Sequence, residues 1–277
     1  MENFNVIELI KIFILSIVQG ITEWLPVSST GHMILIDEFL RLNLRPEFIE
    51  MFLVLVQLGS IFAVIVIYFT KLNPFSGKKT KEAQKQTWII WFKVVVASIP
   101  AVIFGLILND YMDEYFYNPW VVSIALIVYG FVFIWIENKH QGKHSLTIDS
   151  MDDLTYLHAF KIGLFQALSI IPGTSRSGST IIGSLLIGTD RNVATEFSFY
   201  MSIPVMFGAS FLKLIKFGFD FSQAELIYLL SGMLVAFIVS LIAIKFLLNY
   251  IKRNDFKVFG YYRIVLGSLV ILYFLFN

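Results

Sequence analysis

The apolar positions of this 277-residue chain gather into long runs rather than into the periodic faces of a soluble protein. Six runs approach or exceed the ~20 residues that a helix needs to cross a bilayer: 49–70, 88–108, 119–137, 196–217, 224–248 and 259–276. Nothing alternates with the two-residue period of a barrel strand, so the spans are predicted to be helices. Two further apolar regions, 6–40 and 157–188, are interrupted at their centres by Pro, Gly, Ser and Thr. Each half is too short to span, so each region reads as a helix, a break and a second short helix that returns to its starting side. Lipid cannot satisfy free amides and carbonyls, so such a break must be buried in protein or line a cavity. The expected fold class is an all-α polytopic membrane protein with six full spans and two re-entrant helical hairpins.

Composition agrees with this pattern. The chain is 57% hydrophobic and 15% charged, and its mean hydropathy is +0.76, leaving too few charges to clothe a soluble domain. The absence of cysteine excludes disulfides and thiolate metal sites. A net charge of +1 gives no reason to expect a nucleic-acid partner. Residues 1–8 lack the basic start and small-residue cleavage pattern of a secretory signal, so the first apolar stretch is expected to stay in the mature protein. Lys71, Lys78, Lys79, Lys81 and Lys85, with Lys139 and Lys143, and Lys252, Arg253 and Lys257, mark three cytoplasmic segments by the positive-inside rule. The connections 109–118 and 218–223 carry no Lys or Arg and fall outside. Arg41 and Arg45 run against this count. The lysines of 71–85 read as a solvated topogenic loop, and Trp88, Trp91 and Trp120 as interfacial anchors.

At an offset of 146, Pro26 matches Pro172, Ser29 matches Ser175, Arg45 matches Arg191 and Glu50 matches Glu196. The order of elements also repeats, a hairpin and then three spans, which predicts a duplication with halves 1–145 and 146–277. Three spans per half is an odd number, so the second half must insert upside down and the hairpin tips meet near the midplane from opposite sides. That is the inverted-repeat plan in which discontinuous helices build a central site. Arg45, Glu50, Arg191 and Glu196 lie at predicted helix starts and read as caps or symmetric struts.

The chemistry is concentrated at the tips. Gln19 and Glu23, four residues apart, share one helix face. Ser28, Ser29 and Thr30 then open the next half-helix, whose free amides and positive dipole end attract anions, and His32 lies in its first turn. The second tip offers Ser175, Ser177 and Thr180 with Arg176, a planar fork of donors suited to phosphate. Buried polar groups at this depth usually mark a site. Read as structure alone, the hydroxyls bond to their own helices and Glu23 with Arg176 is an ion pair between hairpins.

The stretches Gln19 to His32 (QGITEWLPVSSTGH) and Pro172 to Thr180 (PGTSRSGST) resemble the two signature motifs of the undecaprenyl-diphosphate phosphatase family, the bacitracin-resistance proteins of bacterial plasma membranes. Where the family motif opens with Glu or Gln, this chain has Gln19, so Glu23 carries the charge alone. The resemblance implies hydrolysis of undecaprenyl diphosphate to undecaprenyl phosphate and inorganic phosphate at a site facing the outer side, recycling the lipid carrier of cell-wall synthesis. In that reading Glu23, Ser29, His32 and Arg176 are catalytic. Gln19, Ser28, Thr30, Ser175, Ser177 and Thr180 hold the substrate, and Glu23 binds a divalent cation, Mg²⁺ or Ca²⁺, or acts as base. Three nucleophiles fit: Ser29 activated by His32, His32 itself, or water activated by Glu23, the first being favoured. The inverted-repeat plan is shared with secondary transporters, so movement of polyprenyl phosphate or another anion is the competing reading. The bilayer is a partner in either case, and a second copy of the chain is the protein partner left open.

Overall fold

Helix starts along the chain are set by side chains that accept from otherwise free amides. In the computed structural model, which describes residues 4–140 and 148–276, Asn5, Thr80, Thr155, Asp190 and Ser222 each cap a helix in this way. The helices are α1 (Val6–Thr22), α2 (Ser29–Leu40), α3 (Pro46–Ile67), α4 (Phe69–Leu72), α5 (Lys81–Phe116) and α6 (Pro119–His140). They continue with α7 (Tyr156–Ala167), α8 (Arg176–Leu186), α9 (Arg191–Phe217), α10 (Gln223–Ile251) and α11 (Lys257–Phe276). A 3₁₀ turn, Leu168–Ile170, follows α7.

Six of these, α3, α5, α6, α9, α10 and α11, are long and apolar enough to cross a membrane, matching the six predicted runs. Their ends differ from the apolar runs because helices continue past the last apolar residue. α5 reaches Phe116, so the predicted connection 109–118 shrinks to Tyr117 and Asn118 before Pro119. The basic segment 71–85 is also more structured than a solvated loop: Lys71 pairs with Glu196 at 3.0 Å, Lys79 Nζ donates to Thr87 Oγ1 at 2.6 Å, and Lys81 and Lys85 lie in α5. Trp91 is not a free anchor, since its Nε1 donates to the Leu72 carbonyl at 2.8 Å. Lys143 and the predicted division between residues 145 and 146 lie outside the described residues.

The end of α2 lies beside the start of α1. The Asn43 amide donates to Glu8 Oε2 at 3.0 Å, and Lys11 Nζ donates to the Arg41 carbonyl at 2.9 Å. The end of α8 likewise returns to the approach to α7, where the Asp190 amide donates to the Ile148 carbonyl at 2.9 Å. Each hairpin's first arm leans on a distant span, α1 along α10 and α7 along α5. The first contact is tied by Ser240 Oγ donating to the Gly20 carbonyl at 3.2 Å. In the second, a Cβ at Gly163 would lie 2.3 Å from the Ala97 carbonyl oxygen, so only glycine permits the approach. The outer faces of both arms, Ile7, Ile10, Ile14, Ile17 and Ile21 on α1 and Leu157, Phe160, Leu164 and Leu168 from the start of α7 onward, are exposed apolar stripes at helical spacing.

At the centre α3 packs on α9. Glu50 near the start of α3 pairs with Lys213 near the end of α9 at 2.8 Å, and Glu196 near the start of α9 pairs with Lys71 just past α3. The two helices are therefore antiparallel. Arg45, the charge that ran against the topology count, precedes α3 without capping it and forms a two-pronged pair with Glu225 of α10, both contacts at 2.8 Å. Its charge is neutralised in place. Arg191 at the start of α9 forms the corresponding fork with the fully buried Glu137. Finally α6 and α11 cross at Gly130 and Gly260, where an added Cβ on either would come within 2.7 or 2.8 Å of the other's carbonyl oxygen.

Candidate active site

The first tip begins where α1 runs out. Gln19 and Glu23 do share a face, and Gln19 Nε2 donates to Glu23 Oε2 at 2.9 Å. The chain then turns through Pro26 and Val27 to Ser28, which adopts φ +73° and accepts from the Gly31 amide at 3.3 Å. The second tip uses the same device: Ser175 has φ +74° and accepts from the Gly178 amide at 3.1 Å. Left-handed backbone costs a non-glycine residue roughly 1–2 kcal/mol, so two such serines before two helices are a shared feature of construction. They superpose at an offset of 147, one more than the Pro26–Pro172 match gives. In this register Ser29 is the counterpart of Arg176, and equivalent first helical residues present a hydroxyl from one tip and a guanidinium from the other.

These two side chains converge on Glu23. Arg176 Nη2 donates to Glu23 Oε1 at 3.0 Å, and Ser29 Oγ donates to Glu23 Oε2 at 3.3 Å. Arg176 is also held by the Ser198 carbonyl at 2.8 Å and lies 5.7 Å from the centre of the Trp24 ring. The side chains of Arg176 and Glu23 are only 12% and 7% exposed. An ion pair this far from water is expensive to form, and removing one partner leaves an uncompensated charge worth about 3–5 kcal/mol. Ser177 Oγ donates to the Glu23 carbonyl at 3.1 Å, and Thr180 Oγ1 is 2.6 Å from Ser198 Oγ.

Burial sorts the remaining residues singled out by sequence. Gln19, Ser28, Ser177 and Thr180 are buried and face protein groups, whereas Ser29, Thr30, His32, Ser175 and Arg176 are partly exposed. His32 does not pair with Ser29. Its Nδ1 lies 2.8 Å from the Ser28 carbonyl in the preceding turn, and its Nε2 lies 2.6 Å from Tyr262 Oη, so both ring nitrogens are engaged elsewhere. Glu23 is the one carboxylate at the tips, and among the described residues no group of three or more His, Cys, Asp or Glu is placed to hold a metal ion.

Sequence reasoning passed over α11. Arg263, fully buried, donates through Nη2 to the carbonyls of Gly173 (2.8 Å) and Thr174 (3.0 Å), through Nη1 to Pro26 (3.3 Å) and through Nε to Leu126 (3.4 Å). One guanidinium thus ties the first tip, the second tip and α6 together, and among the described residues no carboxylate pairs with it. A signal was present: Arg263 is the sole charge between Lys257 and the end of an otherwise apolar run, and such residues in spans are usually functional. Tyr262 gave no such signal, because a tyrosine near a span end reads as an anchor.

The arrangement brings together the groups that suit an anion: two helix starts, a guanidinium and a buried neighbouring charge around a hydroxyl that faces a carboxylate. Comparison with known proteins shows the family. The family described as Bacitracin resistance protein BacA matches residues 12–269. A protein named undecaprenyl-diphosphatase from Acetivibrio thermocellus is 58% identical over 97% of this chain and 98% of its own length. Proteins of the same name from Enterococcus faecalis and Desulfitobacterium hafniense are 57% and 54% identical, covering 96% and 97% of this chain and 98% and 96% of their own lengths. With both motifs in place, six apolar helices and near-complete coverage, the chain is a multi-pass membrane protein that belongs to the bacitracin resistance protein BacA family.

Proposed function

We propose that this chain is an undecaprenyl-diphosphate phosphatase, releasing inorganic phosphate and undecaprenyl phosphate at the outer side of the bacterial plasma membrane. The observation that carries the mechanism is the convergence of Ser29 and Arg176 on the single carboxylate Glu23. In the resting site Arg176 is held by Glu23. An arriving diphosphate competes for the guanidinium, and Glu23, relieved of its partner, becomes a stronger base. Ser29 Oγ attacks the terminal phosphorus as its proton passes to Glu23. The bond from that phosphorus to the bridging oxygen breaks, and its electron pair leaves with undecaprenyl phosphate, which takes the proton from Glu23. Water then attacks the phosphoserine, its proton going to Glu23 and from there to Ser29 Oγ. Arg176 and the first amides of α2 and α8 stabilise charge on the transferring group, which is the larger part of catalysis in phosphoryl transfer. This geometry favours Glu23 over His32 as the base for Ser29.

A divalent cation fits as a companion of the substrate rather than as a resident of a protein cage. Mg²⁺ typically takes one or two carboxylates and the oxygens of a phosphate ester; Glu23 would supply the carboxylate through Oε1, the oxygen that Arg176 occupies at rest, leaving Oε2 toward Ser29. Two features support reading the molecule as an inverted repeat with two re-entrant hairpins: the matched serine turns, and the reciprocal packing of α1 on α10 and α7 on α5. That plan also accommodates the second reading, translocation of polyprenyl phosphate.

The test is phosphate release from a polyprenyl diphosphate in detergent, with and without chelator. Glu23→Ala and Arg176→Ala should each abolish release in protein that still elutes as folded, and chelation should depress it. Release that persists in either variant would overturn the assignment. Folded wild-type protein that moves lipid phosphate across vesicles but releases none would favour transport.

A further inference from the structure

We propose that Tyr262 of α11 is a positioning residue of this site, fixing the protonation pattern and ring plane of His32; the proposal rests on the phosphatase reading for its effect on rate but not for its geometry. The argument begins with Nδ1. It lies 2.8 Å from the Ser28 carbonyl, an acceptor only, so Nδ1 carries the hydrogen. In the neutral ring Nε2 is then a bare lone pair, and Tyr262 Oη, 2.6 Å away, must donate to it. The rings lie in parallel planes, 4° apart with centroids at 5.6 Å, so the tyrosine limits rotation as well as filling the hydrogen bond.

The two partners are anchored independently. His32 is tied to the capping serine of the first tip, and Tyr262 adjoins Arg263, whose guanidinium is bonded to both tips. The histidine edge is therefore referenced to both hairpins through α11. Tyr262 is 45% exposed while His32 is half-buried, so the pair lies at the edge of the buried site rather than in its interior. When His32 is protonated both nitrogens donate, Tyr262 Oη becomes the acceptor, and its own hydrogen is free to turn toward an anion at the mouth of the site. The pair thus offers one donor to the open side in the charged state and none in the neutral state. The neighbouring charge that faces His32 is Arg263.

Tyr262→Phe keeps the ring and removes the hydroxyl, and it should lower kcat about ten-fold with KM within about two-fold, the scale of one hydrogen bond lost from the site. The adjacent Tyr261→Phe, 55% exposed, should leave turnover unchanged. Because the chain has only four histidines, selective ¹⁵N-histidine labelling resolves the ring directly. In Tyr262→Phe the Nε2 resonance of His32 should shift to that of an unbonded imidazole nitrogen while Nδ1 keeps its proton. In a His32→Ala background, the further change to Phe at 262 should cost nothing more. Unchanged Nε2 resonance, or full turnover in Tyr262→Phe, would overturn the proposal. Wild-type protein that shows the predicted nitrogen pattern but releases no phosphate would refute the phosphatase reading and leave the Tyr262–His32 geometry standing.

Discussion

Arg263 is the residue on which the relative position of the two tips depends. It donates to the carbonyls of Pro26, Gly173 and Thr174 from a fully buried position, so it holds the tips by their backbones, in addition to the contacts that Arg176 and Ser177 make with Glu23. Replacing it with methionine removes a desolvated charge, which is favourable, and leaves those carbonyls without donors, which costs about 1–3 kcal/mol. The two effects partly offset, so Arg263→Met should lower the melting temperature by only a few degrees. Activity should respond far more. With the tips free to drift, Ser29 and Arg176 no longer meet at Glu23, and phosphate release should fall by about 100-fold, the penalty typical of lost alignment. Arg263→Lys keeps the charge but cannot span three carbonyls, and should fall between. A melt alongside a phosphate assay separates the outcomes: activity near wild type in the methionine variant would show that the tips are placed by other contacts.

At the scale of elements, the apolar runs located all six spans because length and hydropathy suffice to define a membrane helix. The hairpin breaks were legible for the same reason in reverse, as Pro26 and Pro172 interrupt runs already too short to cross. What hydropathy does not encode is which helix touches which. Nothing in the sequence of α11 says that it pairs with α6, or that Tyr262 and Arg263 reach the tips, since those contacts join residues far apart in the chain. The offset of 146 holds for the paired struts Arg45 with Arg191 and Glu50 with Glu196, whereas the turns themselves, defined by the positive φ of Ser28 and Ser175, superpose at 147. The Ser29–His32 pairing failed on helical geometry: three residues on, the histidine turns back to bond the carbonyl four residues before it. The α6–α11 crossing gives a test at this scale. Gly260→Val places a side chain where even a Cβ would lie 2.8 Å from the Gly130 carbonyl oxygen, so the helices must separate. Because α11 carries both site residues, turnover and melting temperature should fall together. Gly105→Ala, with nothing within 4 Å of the added Cβ, should be neutral or slightly stabilising. Wild-type turnover in Gly260→Val would show that α11 does not set the site.

For the molecule as a whole, the ends of the hairpins make a strong claim about sidedness. The start of α1, the end of α2, the start of α3 and the start of α10 are joined at one end by the Asn43–Glu8 and Arg45–Glu225 contacts and by the Asn5 amide bonded to Tyr228 Oη at 2.7 Å. The approach to α7, the start of α9 and the ends of α6 and α10 meet at the other, where Glu137 receives Arg191 and the Phe256 amide. Basic residues populate the second end and its neighbours, so the cytoplasm is its expected side under the positive-inside rule. If the hairpins are re-entrant, a residue beside either end of a hairpin must be reachable from one side only, and the two hairpins must differ in which side that is. The chain has no cysteine, so single substitutions report without interference. Asn43→Cys and Asp220→Cys should react with an impermeant maleimide added to intact cells, whereas Ser76→Cys and Ser150→Cys should react only after permeabilisation. A hairpin that crossed the membrane instead of returning would reverse every position after it, so Ser150→Cys and Asp220→Cys labelled alike in intact cells would exclude a re-entrant second hairpin, and Asn5→Cys and Asn43→Cys labelled from opposite sides would exclude a re-entrant first one.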